Sequence, residues 1–221
     1  MTFTIFNGSP RYKKSNSQTL TEQFLKGYHD QGKTEPVKIC YLARASQLAE
    51  HLEAFRQAEE VIIIFPLYTD CMPGMVKEFL ELLPAAGNKN PKKLGFIVQS
   101  GFPEAIHSVY VERYLEKYAR RRHYHYLGTV IKGGVESIRS MPPSMNKKLF
   151  KQFRELGDNF ARTGQLPWEL VQQMRTPLKM NAVGRTVFRV ISLLGLPDMY
   201  WKKMLKKHGA YHLRSSRPYA P

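Results

Sequence analysis

Five short apolar runs pace this chain: Phe3–Phe6, Val37–Leu42, Val61–Phe65, Leu94–Gln99 and Tyr126–Ile131. All are rich in β-branched and aromatic residues, and longer segments of helical character separate them. Those segments, Ser17–Tyr28, Leu48–Ala58, Pro73–Leu83, His107–Arg121 and Ser144–Arg162, are the helix candidates; the third opens on Pro-Gly and the fifth follows Pro-Pro-Ser, both plausible helix starts. Strict strand-helix alternation predicts an α/β fold with a five-stranded, doubly wound parallel sheet. In the order 2-1-3-4-5, ligands bind beyond the carboxyl ends of the strands, where the order reverses between strands 1 and 3. The loops after strands 1, 3 and 4 are then the place to look, and Asn7–Ser17, Pro66–Gly74 and Ser100–Glu104 are the loops whose composition stands out.

With 221 residues, 43% of them hydrophobic, the chain can bury one substantial core. Its 34 Lys and Arg against 18 Asp and Glu give a net charge of +16, which suits a phosphorylated ligand, an anionic membrane or a nucleic acid without choosing among them. Only two cysteines occur, Cys40 and Cys71, far apart and outside any ligand cluster, which argues against a disulfide framework, a zinc site or an iron–sulfur cluster. The N-terminal residues read as a strand with no secretion-signal pattern, and the longest apolar run, Val61–Leu67, is far short of the roughly 20 residues that span a bilayer. A cytoplasmic protein is expected.

The loop Asn7-Gly8-Ser9-Pro10-Arg11-Tyr12-Lys13-Lys14-Ser15-Asn16-Ser17-Gln18 has more polar donors than a turn requires. Hydroxyl, amide and backbone N–H groups at a helix N-terminus favour an anion, and the planar fork of Arg11 suits phosphate oxygens. Ser9, Ser15, Asn16 and Ser17 are the side-chain donors, and Gly8 permits a close backbone approach. The plainer reading makes Ser17 a helix cap. Neither GxGxxG nor GxxxxGK followed by Ser or Thr is present, so the dinucleotide fingerprint and the P-loop are both unsupported.

Gly8-Ser9-Pro10-Arg11 followed by Ser15-Asn16-Ser17 resembles the phosphate loop of the NAD(P)H-dependent FMN reductase family, whose fold is flavodoxin-like. Pro66-Leu67-Tyr68-Thr69-Asp70-Cys71-Met72-Pro73-Gly74-Met75-Val76-Lys77-Glu78-Phe79 resembles that family's loop along the isoalloxazine ring, and Ser100-Gly101-Phe102-Pro103-Glu104 is a shorter third match. The resemblance spans about residues 1–163. It implies FMN as cofactor and NAD(P)H as co-substrate, with hydride passing to the flavin and on to a quinone, a nitro or azo compound, free flavin or another acceptor. Cofactor contacts then fall to Ser9, Arg11, Ser15, Asn16, Ser17, Pro66, Leu67, Tyr68, Ser100, Gly101, Phe102 and Glu104, with no side chain required as a catalytic nucleophile or base. The partners it implies are a small-molecule electron acceptor and a second copy in a homodimer. The rivals are a one-electron carrier, which is usually small and acidic where this chain is basic, and a basic membrane- or nucleic-acid-binding module.

Other residues carry plainer readings. Lys77 is a solvated helix charge, and Cys71 a small packing residue with no base beside it. Arg120–Tyr126 mixes cations and aromatics, but a helix C-terminus favours cations and the next strand needs aromatics, so no nucleic-acid partner is read from it. His123 and His125 lack a third ligand, so no metal site is expected. Residues 164–221 form a basic helical extension to the 1–163 domain. Within it Val183, Val187, Val190, Ile191 and Leu194 share one helical face, away from Arg185, Arg189 and Ser192, and Trp201–Lys207 follows as a basic stretch led by an aromatic. Packing of that face on its own domain or on a partner copy is the expectation; lying on a membrane surface is the alternative.

Overall fold

The computed structural model describes residues 2–33, 35–87 and 91–216. Five strands, β1 (Phe3–Asn7), β2 (Lys38–Tyr41), β3 (Glu60–Pro66), β4 (Lys93–Gln99) and β5 (His125–Lys132), form one sheet in the order β2-β1-β3-β4-β5, every pairing parallel. Strand count, direction and order are those expected. The helices between them are α1 (Asn16–Asp30), α2 (Leu48–Gln57), α3 (Gly74–Leu82), α4 (Ile106–Arg121) and α5 (Lys147–Thr163), and α6 (Trp168–Met174), α7 (Ala182–Leu193) and α8 (Leu196–Lys207) complete the chain. The fifth helix starts later than Ser144 because Pro143–Asn146 forms a 3₁₀ turn before it.

Both faces of the sheet are covered, which is why its strands read as continuous apolar runs. Val61, Ile63 and Phe65 of β3 join Phe55 of α2, Phe79 of α3 and Leu115 of α4 in one apolar cluster. Ile62 and Ile64 turn the other way, onto Leu20 and Phe24 of α1 and Phe153 and Phe160 of α5. On that second side two glycines set the helix spacing. A Cβ on Gly27 would lie 1.9 Å from the Arg154 carbonyl oxygen, and one on Gly157 would lie 1.9 Å from that of Phe24, so α1 and α5 touch backbone to backbone.

Two compact units divide the chain, Met1–Lys179 and Met180–Pro221. Residues 164–179, grouped with the extension in the sequence reading, pack in the first unit: Leu166, Val171 and Met174 are buried in the α1–α5 cluster, and Arg175 of the α6 terminus bonds Glu112 of α4. The second unit is α7, α8 and a short 3₁₀ turn at Tyr211–Leu213. Among the described residues no helix is long and apolar enough to cross a membrane.

Candidate functional site

The carboxyl ends of β1, β3 and β4 open side by side at the edge where the strand order reverses. Gly8 leaves β1 hydrogen-bonded to the Ile64 carbonyl at 2.8 Å, and a Cβ there would come within 2.2 Å of Val76 Cγ2. Its lack of a side chain thus lets the loop pack on α3; the sequence reading had assigned that freedom to ligand approach. From there the loop folds on itself. The Ser9 N–H donates to Asn7 Oδ1 at 3.0 Å, Tyr12 N–H to the Ser9 carbonyl at 3.0 Å, and the Ser15 hydroxyl to the Tyr12 carbonyl at 2.7 Å.

Ser15, rather than Ser17, caps α1: its Oγ accepts from the Gln18 N–H at 3.1 Å. Asn16 is committed as well, donating through Nδ2 to the carbonyls of Val135 at 2.8 Å and Glu136 at 3.1 Å, which ties this loop to the one after β5. Ser17 differs. Its hydroxyl is buried and has no hydrogen-bond partner among the described residues, at a helix N-terminus whose first N–H groups lack intrahelical acceptors. A buried, unsatisfied hydroxyl costs about 1–3 kcal/mol; Thr21, one turn further along α1, has its hydroxyl in the same state. At the rim, Arg11 Nη1 and Nη2 both lie 3.4 Å from Glu136 Oε1.

A second wall comes from the loop after β3. The Leu67 N–H donates to the Gln99 carbonyl at 2.7 Å, holding this loop against β4. Tyr68 and Cys71 then exchange backbone bonds of 2.8 and 3.0 Å around Thr69 and Asp70, whose φ angles are +49° and +57°. Two consecutive positive φ values in a two-residue turn are the geometry of type I′, unusual without glycine. Since the Tyr68 N–H is used within this turn, its ring, 42% exposed, is what Tyr68 offers to a ligand.

The loop after β4 supplies fewer donors than its composition suggests. Ser100 N–H donates to the Lys132 carbonyl and its hydroxyl to the Phe102 carbonyl, both at 3.0 Å. Phe102 stacks on His107 with ring centroids 4.7 Å apart. His107 stands between Asp70, 3.1 Å from its Nδ1, and Glu104, 3.7 Å from its Nε2, so this imidazole links the loops after β3 and β4.

Ser9, Arg11, Asn16, Pro66, Leu67, Tyr68, Ser100 and Gly101 thus line one cleft of about 30 Å³. Ser15 and Ser17 stand at the start of α1, while Phe102 and Glu104 lie in the His107 cluster and do not line the cleft. Gln99 and Glu136 line it too and were missed. Gln99 is the one polar residue closing an apolar strand, a signal that could have found it; Glu136, in Gly133-Gly134-Val135-Glu136, carries no sequence signal that separates it from an ordinary turn residue. Behind the cleft, the Tyr41 hydroxyl donates to Gln18 Oε1 at 3.0 Å, and burial pushes this phenol above its ordinary value, with Tyr12 and Glu22 adding to the shift. Tyr12 and Tyr41 meet with centroids 4.4 Å apart, and the Arg44 guanidinium lies 4.7 Å from the Tyr12 ring centre. Among the described residues no group of three or more His, Cys, Asp or Glu is placed to hold a metal ion.

The family model described as flavodoxin-like fold matches residues 1–149. This chain belongs to that family. Among solved structures it is similar to an NADPH-quinone reductase from P. pentosaceus, at 18% identity and a TM-score of 0.57 over 72% of this chain and 99% of that one. An FMN-dependent NADH-azoreductase from Bacillus anthracis in complex with FMN superposes at 15% identity and a TM-score of 0.55, covering 73% of this chain and all of that one. An NAD(P)H:quinone oxidoreductase from Methanothermobacter marburgensis does so at 17% identity and 0.56, covering 72% and 98%. At these identities the likeness is one of fold. No curated protein sequence matches the chain.

Proposed function

We propose that this flavodoxin-like protein is an FMN-dependent NAD(P)H oxidoreductase whose second substrate is a small oxidised acceptor such as a quinone, a nitro or azo compound or free flavin. The observation that carries this reading is the cleft in which Ser9, Arg11 and Asn16 of the first loop meet Pro66, Leu67 and Tyr68 of the loop after β3, beside the N-terminus of α1, where the buried Ser17 hydroxyl has no partner among the described residues. That donor set fits a phosphate monoester: a helix N-terminus, a hydroxyl and a guanidinium, in a loop without the GxGxxG dinucleotide fingerprint. The structures of similar fold include proteins named as quinone reductases and azoreductases, one of them with FMN bound, which supports the same reading.

In this proposal the roles divide by element. Ser9, Arg11, Ser17 and the first N–H groups of α1 hold the phosphate, while Ser15 and Asn16 shape the loop by capping α1 and tying it to the loop after β5. Pro66, Leu67 and Tyr68 form an apolar wall for the flavin ring, and the loop carrying Ser100, Gly101 and Phe102 approaches its polar edge. Glu104 acts through His107 and Asp70 to keep the loops after β3 and β4 in register. When bound, FMN supplies the redox chemistry, taking a hydride from the nicotinamide and delivering it to the acceptor. The protein's own contribution is to bind, orient and shield, so no side chain is assigned a catalytic proton transfer.

Exposed aromatics at and beyond the loop after β4, Phe102, Tyr110 and Tyr114, provide a face for a second copy, and a cytoplasmic homodimer completes the proposal. The test is to load the purified protein with FMN and add NADH or NADPH anaerobically while following the visible flavin band. Full two-electron bleaching, reversed by a quinone or azo dye, is the expected result; no bleaching with either nucleotide would overturn the reductase and favour a one-electron carrier.

A further inference from the structure

Helices α7 and α8 form a hairpin that the cofactor cleft does not use. Asn181 caps α7, its Oδ1 accepting from the Gly184 N–H at 2.8 Å, and Gly195 at φ +69° turns the chain into α8. No residue of α7 is buried. Within the second unit nothing covers its apolar face: Val183 is 69% exposed, Val187 51%, Val190 50% and Leu194 70%. Arg185 and Arg189 take the opposite face. Beside it α8 exposes Trp201 among Lys202, Lys203, Lys206 and Lys207.

Charge decides what covers this face. The 42 residues hold eight Lys or Arg against one Asp, a net +7 of the chain's +16, so the other 179 residues are net +9. The dimer face proposed above belongs to the aromatics of the first unit; a second copy placed on α7 instead would set this local +7 against a net-positive unit. A nucleic acid would take up the cations and leave the aliphatic face in water. An anionic bilayer answers both features, since the apolar face enters the boundary between headgroups and acyl chains while the cations meet the headgroups. Spanning is ruled out by length: twelve residues of α7 reach about 18 Å, against roughly 30 Å of hydrocarbon. We propose that α7 and α8 form a peripheral anchor that lies on an anionic membrane surface, seating the Val183–Leu194 face of α7 and Trp201 in the interface.

The test uses the full-length protein and sedimentation with phosphatidylcholine vesicles, with and without phosphatidylglycerol. Binding is expected only with phosphatidylglycerol present, falling as salt is raised, and in Trp168→Phe protein the remaining Trp201 fluorescence should shift to the blue on binding. Val187→Asp with Leu194→Asp should weaken binding at least about 10-fold, and so, by loss of charge alone, should changing Lys202, Lys203, Lys206 and Lys207 to Gln. The second variant leaves the apolar face intact, so the proposal stays open to refutation if the first fails to fold. No binding to phosphatidylglycerol vesicles, or binding unchanged in both variants, overturns the proposal. So does an oligomer of the full-length chain that dissociates in the Asp variant without vesicle binding, which would make a second copy the occupant, or tighter binding to duplex DNA than to vesicles.

Discussion

The proposed phosphate cradle contains opposed charges, and separating them is a quantitative test. Arg11 Nη1 and Nη2 both lie 3.4 Å from Glu136 Oε1, with the two side chains 55% and 40% exposed, so the pair itself contributes less than about 1 kcal/mol. A phosphate monoester carrying roughly −1.5 to −2 charges would draw Arg11 away from Glu136. The charge-assisted bond then made contributes about 1.5–3 kcal/mol. Arg11→Ala should therefore weaken FMN binding about 10- to 150-fold. Glu136→Gln should act in the opposite direction: it removes a negative charge beside the phosphate, worth on the order of 1 kcal/mol near a protein surface, and should tighten FMN roughly 5-fold. Riboflavin, which has no phosphate, should respond little to either change. Quenching of flavin fluorescence on titration with apoprotein, at low and high salt, measures all four constants. The reasoning fails if Glu136→Gln loosens FMN as Arg11→Ala does, because Glu136 would then be orienting Arg11 instead of competing for it. Equal losses for FMN and riboflavin in Arg11→Ala would remove Arg11 from the phosphate altogether.

Tyr68→Ala should alter nicotinamide turnover and the flavin spectrum while FMN retention stays near wild type, since the loop after β1 is untouched; unchanged turnover and spectrum would take Tyr68 off the ring wall. Gly157→Ala sets a helix-propensity gain of about 1 kcal/mol against a Cβ 1.9 Å from the Phe24 carbonyl oxygen. The overlap should win by about 1–3 kcal/mol, lowering the urea midpoint, whereas Gly74→Ala, with nothing within 4 Å, is the control; a Gly157→Ala protein as stable as wild type would refute the backbone contact. Burial pushes the Tyr124 and Tyr126 phenols up to about 12 from an ordinary 10.0. Because the folded state holds these protons more tightly, the stability they confer is full below pH 10 and is lost as pH rises to about 12. Urea melts should show that loss, and Tyr126→Phe should reduce its slope.

How much of this was legible in the sequence differs from element to element. The strand runs were, because a strand buried on both faces must be apolar throughout, and Val61–Phe65 has no polar residue to place it at an edge. The loops beyond β1, β3 and β4 stood out because turns, caps and anion sites draw on the same few small polar residues. That overlap also limits the reading. Ser15, Asn16 and Ser17 are equally able to cap, to tether or to bind, and nothing local says which does which. Part of the division comes from the Val135–Glu136 backbone, more than a hundred residues away, which takes up the Asn16 amide while Ser15 caps α1.

Gly8, Gly27 and Gly157 make the same point about packing. A glycine in sequence announces only freedom, whereas the structure shows each one pressed against a neighbour, Val76, Arg154 or Phe24, that arrives through the fold. Likewise the amphipathic face of α7 was readable from a 3.6-residue period, but periodicity states that a face is apolar and is silent on what covers it. By itself, then, the sequence determined what depends on local chemistry and repeat: element types, a parallel sheet through strict βα alternation, and which loops carry polar donors. Only the tertiary structure decided what depends on distant chain segments meeting: which donors of the first loop are already used, the entry of Gln99 and Glu136 into the cleft, and the His107 link between two loops. Hydrogen-bond satisfaction and burial belong to pairs of groups, and the chain specifies those pairs only once it is folded.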